Sequence, residues 1–144
     1  MWWGWCPVFR HCTFYGNSAG YGSCMYTEGN DIYHSIIAYG TGGPVISAPY
    51  DIGIMCSDIY GNEGGDWIDN LADKLGVDGN IRACPSFCDA GAGDFRLCDE
   101  SPCLPGNHPD GYDCGLIGAW GEGCSCGSSR LETTTWGGIK ALYR

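Results

Sequence analysis

Between Cys12 and Tyr60 the apolar positions come in short runs, and nearly every run is cut by glycine or by small polar residues. Cys12-Thr13-Phe14-Tyr15 stops at Gly16-Asn17-Ser18. A second run, Ser23–Thr27, follows Gly20 and Gly22 and ends in the turn Glu28-Gly29-Asn30-Asp31. Ile32–Tyr39 (IYHSIIAY) is rich in β-branched and aromatic residues and predicts the strongest strand, broken at Gly40-Thr41-Gly42-Gly43-Pro44. Val45-Ile46-Ser47, Ile52–Met55 and Ile59-Tyr60 are further short strands. This punctuation argues against helices through residue 62 and fits a meander, a barrel or a stacked solenoid.

Internal repetition decides among these. CTFYGNSAG at Cys12–Gly20, SIIAYGTGG at Ser35–Gly43 and CSDIYGNEGGD at Cys56–Asp66 are copies of one phrase, a short apolar run closed by Tyr-Gly and a turn. Tyr15, Tyr39 and Tyr60 are spaced 24 and 21 residues apart, within the roughly 20 to 30 residues expected of a solenoid repeat. A parallel β-helix coil uses two or three short strands and stacks them ~4.8 Å apart, so like residues fall into ladders. Asn17 and Asn62, with Thr41 between them, are expected to occupy one such ladder and to hydrogen-bond the turn backbone. Phe14, Ala38 and Ile59 are expected to point into the core. About three coils are predicted, over residues 1–65.

Residues 66–76 (DWIDNLADKLG) change the period. Trp67, Leu71 and Leu75 share a helical face, with Asp66 placed to cap its start and Gly76 its end, so a short covering helix is predicted. The Asp-rich face of that helix reads as solvated. Val77–Asn80 lacks the alternating carboxylates of a calcium loop.

From Cys84 the chain becomes a cystine-rich cap, extending with the helix over residues 66–126. Phe95–Leu97 and Leu116–Gly118 are expected β segments. Cys103–Cys114 would hold the base of the loop 104–113, and Cys88–Cys98 is a second expected pair. Each ring of about a dozen residues is worth roughly 3 kcal/mol by loop entropy. Residues 127–144 read as a linker and tail, and Trp2, Trp3 and Trp5 as either a packed edge or a sugar-stacking platform.

Composition sharpens this picture. Twenty-five glycines and only 17% charged residues suit a turn-dense all-β domain, and 44% hydrophobic residues supply a core. Seventeen acids against seven bases give a charge of −10, which argues against nucleic acid as a partner. Eleven cysteines without a CxxC pair point to disulfides in an oxidising compartment rather than to zinc, and no metal or other cofactor is expected. No apolar run reaches the ~20 residues of a membrane span. The N-terminus does not read as a signal peptide. The chain is therefore expected to be the C-terminal part of a longer secreted protein, with upstream coils as its neighbours, or to carry a misplaced start.

The segments HCTFYGNSAGYG, SIIAYGTGG and CSDIYGNEGGDW resemble coils of right-handed parallel β-helix repeat proteins, the pectin-lyase-like superfamily. Ile59–Trp67, Gly79–Asp89, Gly93–Leu97 and Ser101–Ala119 are similar to the closing segments of its large secreted or surface bacterial members. The resemblance implies an all-β, right-handed parallel β-helix at the cell surface or outside the cell. It departs at Cys84 and at Asp69-Asn70, which marks Cys56 and Cys84 as thiols whose pairing differs.

Much of that superfamily cleaves acidic polysaccharides, so lyase or hydrolase chemistry is one reading. Arg10, Asp31, Asp51, Asp58 and Glu63 do not occupy matching coil positions, as convergent acid–base groups should. His11, His34 and His108 form no recognisable triad motif. His11 and His34 are 23 residues apart, near one coil, and a two-His metal site is an open alternative to two imidazoles on one face. No catalytic residue is assigned. The favoured reading is a structural or adhesive end module, with Tyr15, Tyr39 and Tyr60 as candidate contacts for an extracellular polysaccharide.

Overall fold

The computed structural model describes residues 7–126 as an all-β parallel solenoid with almost no helix. The tryptophan cluster at Trp2, Trp3 and Trp5 and the tail 127–144 lie outside the described residues. Strands β1 (Val8–Arg10), β2 (Thr13–Tyr15), β3 (Ser18–Ala19) and β4 (Met25–Tyr26) trace one coil. Strands β5 (Asp31–Tyr33), β6 (Ile36–Ala38), β7 (Thr41–Gly42) and β8 (Ile46–Ser47) trace the next, and β9 (Ile54–Met55) and β10 (Asp58–Tyr60) open a third. Parallel ladders run β1-β5-β9, β2-β6-β10, β3-β7 and β4-β8. A bridge from Asp58 to Ile81 adds a partial fourth rung to the three expected.

The coil closes because one corner repeats. His11, His34 and Cys56 have φ of 51°, 51° and 47°, and Gly79, a level further on, has φ of 79°. Left-handed backbone is uncommon outside glycine, although histidine adopts it more readily than most residues. Each non-glycine corner N–H is used: His11 donates to the Tyr33 carbonyl, His34 to Met55 and Cys56 to Asp78. The following residue fastens adjacent coils through its side chain. Cys12 N–H donates to Ser35 Oγ at 3.2 Å, Ser35 N–H to Ser57 Oγ at 3.3 Å and Ser57 N–H to Asn80 Oδ1 at 3.2 Å. The two serine hydroxyls donate in turn to the carbonyls of Tyr33 and Met55. This corner splits the single strand expected over Ile32–Tyr39 into β5 and β6, because His34 cannot be left-handed and extended at once.

A second corner corrects the tyrosine alignment. Tyr15 pairs with Ala38 and Ala38 with Tyr60, so the middle Tyr-Gly is one residue out of step with its neighbours. Tyr39 instead occupies the left-handed position held by Gly16 and Gly61 in the flanking coils, with φ of 58° against 67° and 72°. The inward ladder is consequently Phe14–Ile37–Ile59, beside Phe9–Ile32–Ile54. Ile37, rather than Ala38, faces this interior. Together with Val45, Ile46, Ile52, Trp67 and Leu71 these residues form the solenoid core. Each fully buried aliphatic side chain contributes about 1.5–3 kcal/mol by area transfer.

Of the asparagine ladder, one end is present. Asn62 is buried, accepts Gly40 N–H on Oδ1 at 2.8 Å and donates from Nδ2 to the Ile37 carbonyl and to Asp66. Asn17 is exposed, and it is its backbone carbonyl that accepts Thr41 N–H. Asn80, outside the expected ladder, is the other buried bracket and donates to the Ile54 and Lys74 carbonyls.

The covering helix shrinks to a 3-10 turn at Asp69–Leu71. Asp66 does not cap it, because its carboxylate accepts Gly61 N–H, Asn62 N–H and the Arg82 guanidinium. Ile68 is extended and Asp69 has φ of 53°, neither compatible with a continuous α-helix. Trp67 and Leu71 still cover the core, while Leu75 is exposed.

The cystine-rich segment packs along the side of the stack, and residues 78–81 extend its end. Strand β11 (Phe87–Asp89) pairs antiparallel with β12 (Asp94–Cys98), which pairs parallel with β13 (Glu122–Cys124). Leu116–Gly118, expected as β, forms no strand: Ile117 N–H donates to the Cys103 carbonyl, Gly118 N–H to that of His34, and Gly118 is a bend with φ of 98°. A second core joins Ile36 and Ala38 to Ile81, Phe87, Leu97, Leu104 and Ile117. All three residues of β6 are thereby buried.

The disulfides are Cys56–Cys114, Cys88–Cys124 and Cys98–Cys126. The short rings expected from Cys103–Cys114 and Cys88–Cys98 are not formed. Cys103 is a buried free thiol, and Cys114 reaches back to the corner cysteine Cys56. Gly79 makes this bridge possible, since a Cβ there would lie 2.6 Å from Cys114 Sγ and 3.0 Å from Cys56 Sγ. Closure across 58 residues is worth roughly 4 kcal/mol by loop entropy. Cys56 is thus paired, and Cys84 is free and exposed.

The two asparagines predict opposite outcomes. Asn62→Ala leaves the Gly40 N–H and the Ile37 carbonyl without their partner inside the stack, and should cost about 2–4 kcal/mol. Asn17→Ala should change stability by no more than about 0.5 kcal/mol. Urea unfolding followed by tryptophan fluorescence checks both values.

Candidate functional site

A cleft of about 750 Å³ lies where the second corner of the solenoid meets the cystine-rich flank. Tyr15, Tyr39 and Phe87 form its aromatic wall, and Ser86, Asp89 and Cys84 supply polar atoms. The flank orients these groups through β11 and its disulfides. The solenoid does so through the left-handed Tyr39, whose side chain leaves the stack at a corner instead of along a strand.

The three predicted tyrosines form one cluster, though not a flat platform: Tyr15 and Tyr39 line the cleft, and Tyr60 packs against Tyr39 outside its lining. Tyr15 and Tyr39 have ring centroids 5.6 Å apart at 64°, and Tyr39 and Tyr60 6.0 Å apart at 85°. Tyr15 also meets Phe87 and Phe95, at 5.8 and 5.0 Å. Edge-to-face packing of this kind contributes about 0.5–1.5 kcal/mol per pair beyond area burial. It also uses ring faces that a sugar would otherwise cover. Tyr39 is the most open of the three, at 37% exposure. Its hydroxyl lies 3.7 Å from Cys84 Sγ. Burial, followed by that hydrogen bond, raises the phenol's pKa, so the group stays a neutral donor.

The groups considered for acid–base chemistry are dispersed. Arg10 lies over the Tyr33 ring at 4.8 Å, and Asp31 accepts from Tyr33 Oη and Gly53 N–H. Asp51 pairs with Lys74 at 3.0 Å, and Glu63 accepts Gly42 N–H. None of these four residues lines the cleft, nor does Asp58, and the acid that does is Asp89. His11 and His34 stack with centroids 5.0 Å apart at 17°, as their shared corner requires. Burial and the neighbouring His11 lower the pKa of His34. Among the described residues no group of three His, Cys, Asp or Glu side chains could hold a metal. His108 is structural: Nε2 bonds the Gly79 carbonyl at 2.8 Å, and Nδ1 accepts Asp110 N–H.

One buried site was not anticipated. Asp58 is fully buried between β10 and the flank, accepting Ala83 N–H at 3.0 Å and the Cys103 thiol at 3.2 Å. Desolvation pushes its pKa up to about 7, helped by nearby Asp66 and opposed by those two hydrogen bonds. Sequence spacing gave no signal for this pair, whose members are 45 residues apart. Phe87, Asp89 and the placement of Cys84 were missed for the same reason, because they depend on how the flank docks.

No family model matches the chain, and neither the curated proteins nor the solved structures contain a significant match. What the structure defines is a class, a disulfide-bonded parallel β-solenoid. Its three disulfides fit an oxidising environment. No helix among the described residues is long and apolar enough to cross a membrane.

Asp58 makes stability depend on pH with a defined sign. Its folded pKa is raised, so the folded state binds the proton more tightly than the unfolded chain does. The contribution is complete below the ordinary carboxylate range and is lost as pH rises through about 7. The urea midpoint of the native protein should therefore fall between about pH 5 and about pH 8, and Asp58→Asn should flatten that fall. Parallel titration of the two proteins checks it.

Proposed function

We propose that this chain is a secreted or cell-surface β-helix module with a structural and adhesive role, making carbohydrate contact at the cleft beside Tyr39. The observation that carries the reading is the pairing of an aromatic wall with hydroxyl and carboxylate groups in one open cleft. Sugars present apolar C–H faces and equatorial hydroxyls together, and such a lining meets both needs. The disulfides support residence outside the cell. The likeness of the coil and closing segments to the pectin-lyase-like superfamily, in its large bacterial surface members, supports the same assignment. A neutral glycan suits the site better than a polyuronate, because the chain carries a net charge of −10. The lyase or hydrolase alternative draws no support from the geometry, since the acids and Arg10 do not converge.

The test is glycan-array binding by the refolded, oxidised chain, followed by titration of the best ligand. Tyr39→Ala should weaken binding about tenfold, equivalent to 1.4 kcal/mol. Tyr26→Ala, an exposed tyrosine that does not line the cleft, should leave binding unchanged. Absence of any retained glycan, or equal binding by Tyr39→Ala, defeats the reading. Release of unsaturated products from a polysaccharide would favour the lyase instead.

A further inference from the structure

Sulfur is concentrated in the cleft beyond what cross-linking requires. Cys84, Cys88, Cys98, Cys124 and Cys126 all line it, so a free thiol shares one open space with both flank disulfides. The spatial relation is local. Ser86 Oγ lies 3.9 Å from Cys84 Sγ, while the Ser86 carbonyl accepts the N–H of Cys98 at 3.0 Å. Cys88 follows Cys84 by four residues, with left-handed Ser86 (φ 59°) turning the chain between them. Cys84 is exposed, and Cys88, Cys124 and Cys126 are half-buried. The Tyr39 hydroxyl, held protonated, is placed to donate to the Cys84 sulfur. That contact sets the side of the cleft on which the Cys84 sulfur lies.

We propose that the cleft is an intramolecular thiol–disulfide exchange site, with Cys84 as attacking thiol and the Cys88–Cys124 and Cys98–Cys126 disulfides as its acceptors. Cys84 loses its proton to solvent, and its sulfur attacks Cys88 or Cys98. A Cys84–Cys88 or Cys84–Cys98 bond forms as the original bond breaks. Cys124 or Cys126 departs as thiolate and takes a proton from solvent. One disulfide is exchanged for another, so no external oxidant or reductant enters. The consequence is mechanical: either exchange removes one of the two disulfides that fasten the β13 end to the β11–β12 pair, while conserving the number of cross-links. The inference stands independently of whether the cleft takes a sugar.

The experiment uses the full oxidised chain, incubated at several pH values, quenched in acid, alkylated and mapped by non-reducing peptide mass spectrometry. Alkylation should migrate with time from Cys84 to Cys124 or Cys126, at a rate independent of protein concentration. That rate should rise with pH, because a thiolate is the form that attacks a disulfide. Native protein alkylated beforehand at Cys84 should show no label at the other four cysteines, which tests the role without a folding-sensitive substitution. Tyr39→Phe should slow the migration while leaving the disulfide map at time zero unchanged. Label confined to Cys84 throughout, migration that persists after Cys84 is blocked, or a rate proportional to protein concentration overturns the proposal.

Discussion

The structure depends on returning the chain to the same corner every 22 or 23 residues. A left-handed residue turns it there, and the next residue donates its N–H to a side-chain oxygen one coil along. Without that side-chain acceptor, the N–H after the bend would be buried with no ladder partner, at a cost of about 1–3 kcal/mol. Serine fits because its hydroxyl accepts from the neighbouring coil and donates to its own carbonyl two residues back. On the opposite side the coils approach so closely that side chains are excluded. A Cβ on Gly43 would lie 1.9 Å from the Gly20 carbonyl oxygen, and one on Gly64 2.1 Å from that of Gly43. Corner chemistry and close approach together hold the aliphatic ladders in register.

Stacked strands leave two faces, and a thin solenoid fills only the inner one. The outer face of β6 would expose Ile36 and Ala38, and the cystine-rich segment lies against it. That places the segment beside the stack, tied to the corner ladder by Cys56–Cys114. Docking also buries Asp58, whose side chain would meet water on an uncovered sheet. Its raised pKa is the electrostatic cost of the interface, and the Ala83 N–H and Cys103 thiol are the partners that limit it.

The period was legible in the sequence, and the register only partly so. His11 and His34, 23 residues apart, carry the true repeat. The Tyr-Gly phrase misleads in its middle copy, because Tyr39 fills a position that the flanking coils give to glycine. Ser35 and Ser57 follow the corner directly, but a hydroxyl's partner cannot be read until the register is known. The tyrosine cluster was legible as proximity and not as geometry. Its rings pack edge to face because the flank supplies Phe87 and Phe95, neither of which belongs to the repeat. The disulfides were misread because short rings look favourable locally, whereas the fold brings together cysteines 58, 36 and 28 residues apart. The helix failed for a related reason: Asp66 is drawn back to Gly61, Asn62 and Arg82 before it can cap anything.

The free cysteines sort by environment into two kinds. Burial pushes the Cys24 thiol up to about 12, and burial, with Asp58 beside it, also raises Cys103. Both remain neutral thiols, Cys24 as a small apolar filler and Cys103 as a donor to Asp58, and packing shields them from oxidation. Cys12 sits at the edge of the corner ladder, with its sulfur directed at the Arg10 carbonyl. Cys84 differs from all of these in standing exposed within a cleft that holds two disulfides and a phenolic donor. A surplus thiol in an oxidising environment persists when it is buried or when any bond it forms can be exchanged back. Among the described residues Cys12, Cys24 and Cys103 lie wholly or partly buried, and Cys84 shares its cleft with two disulfides.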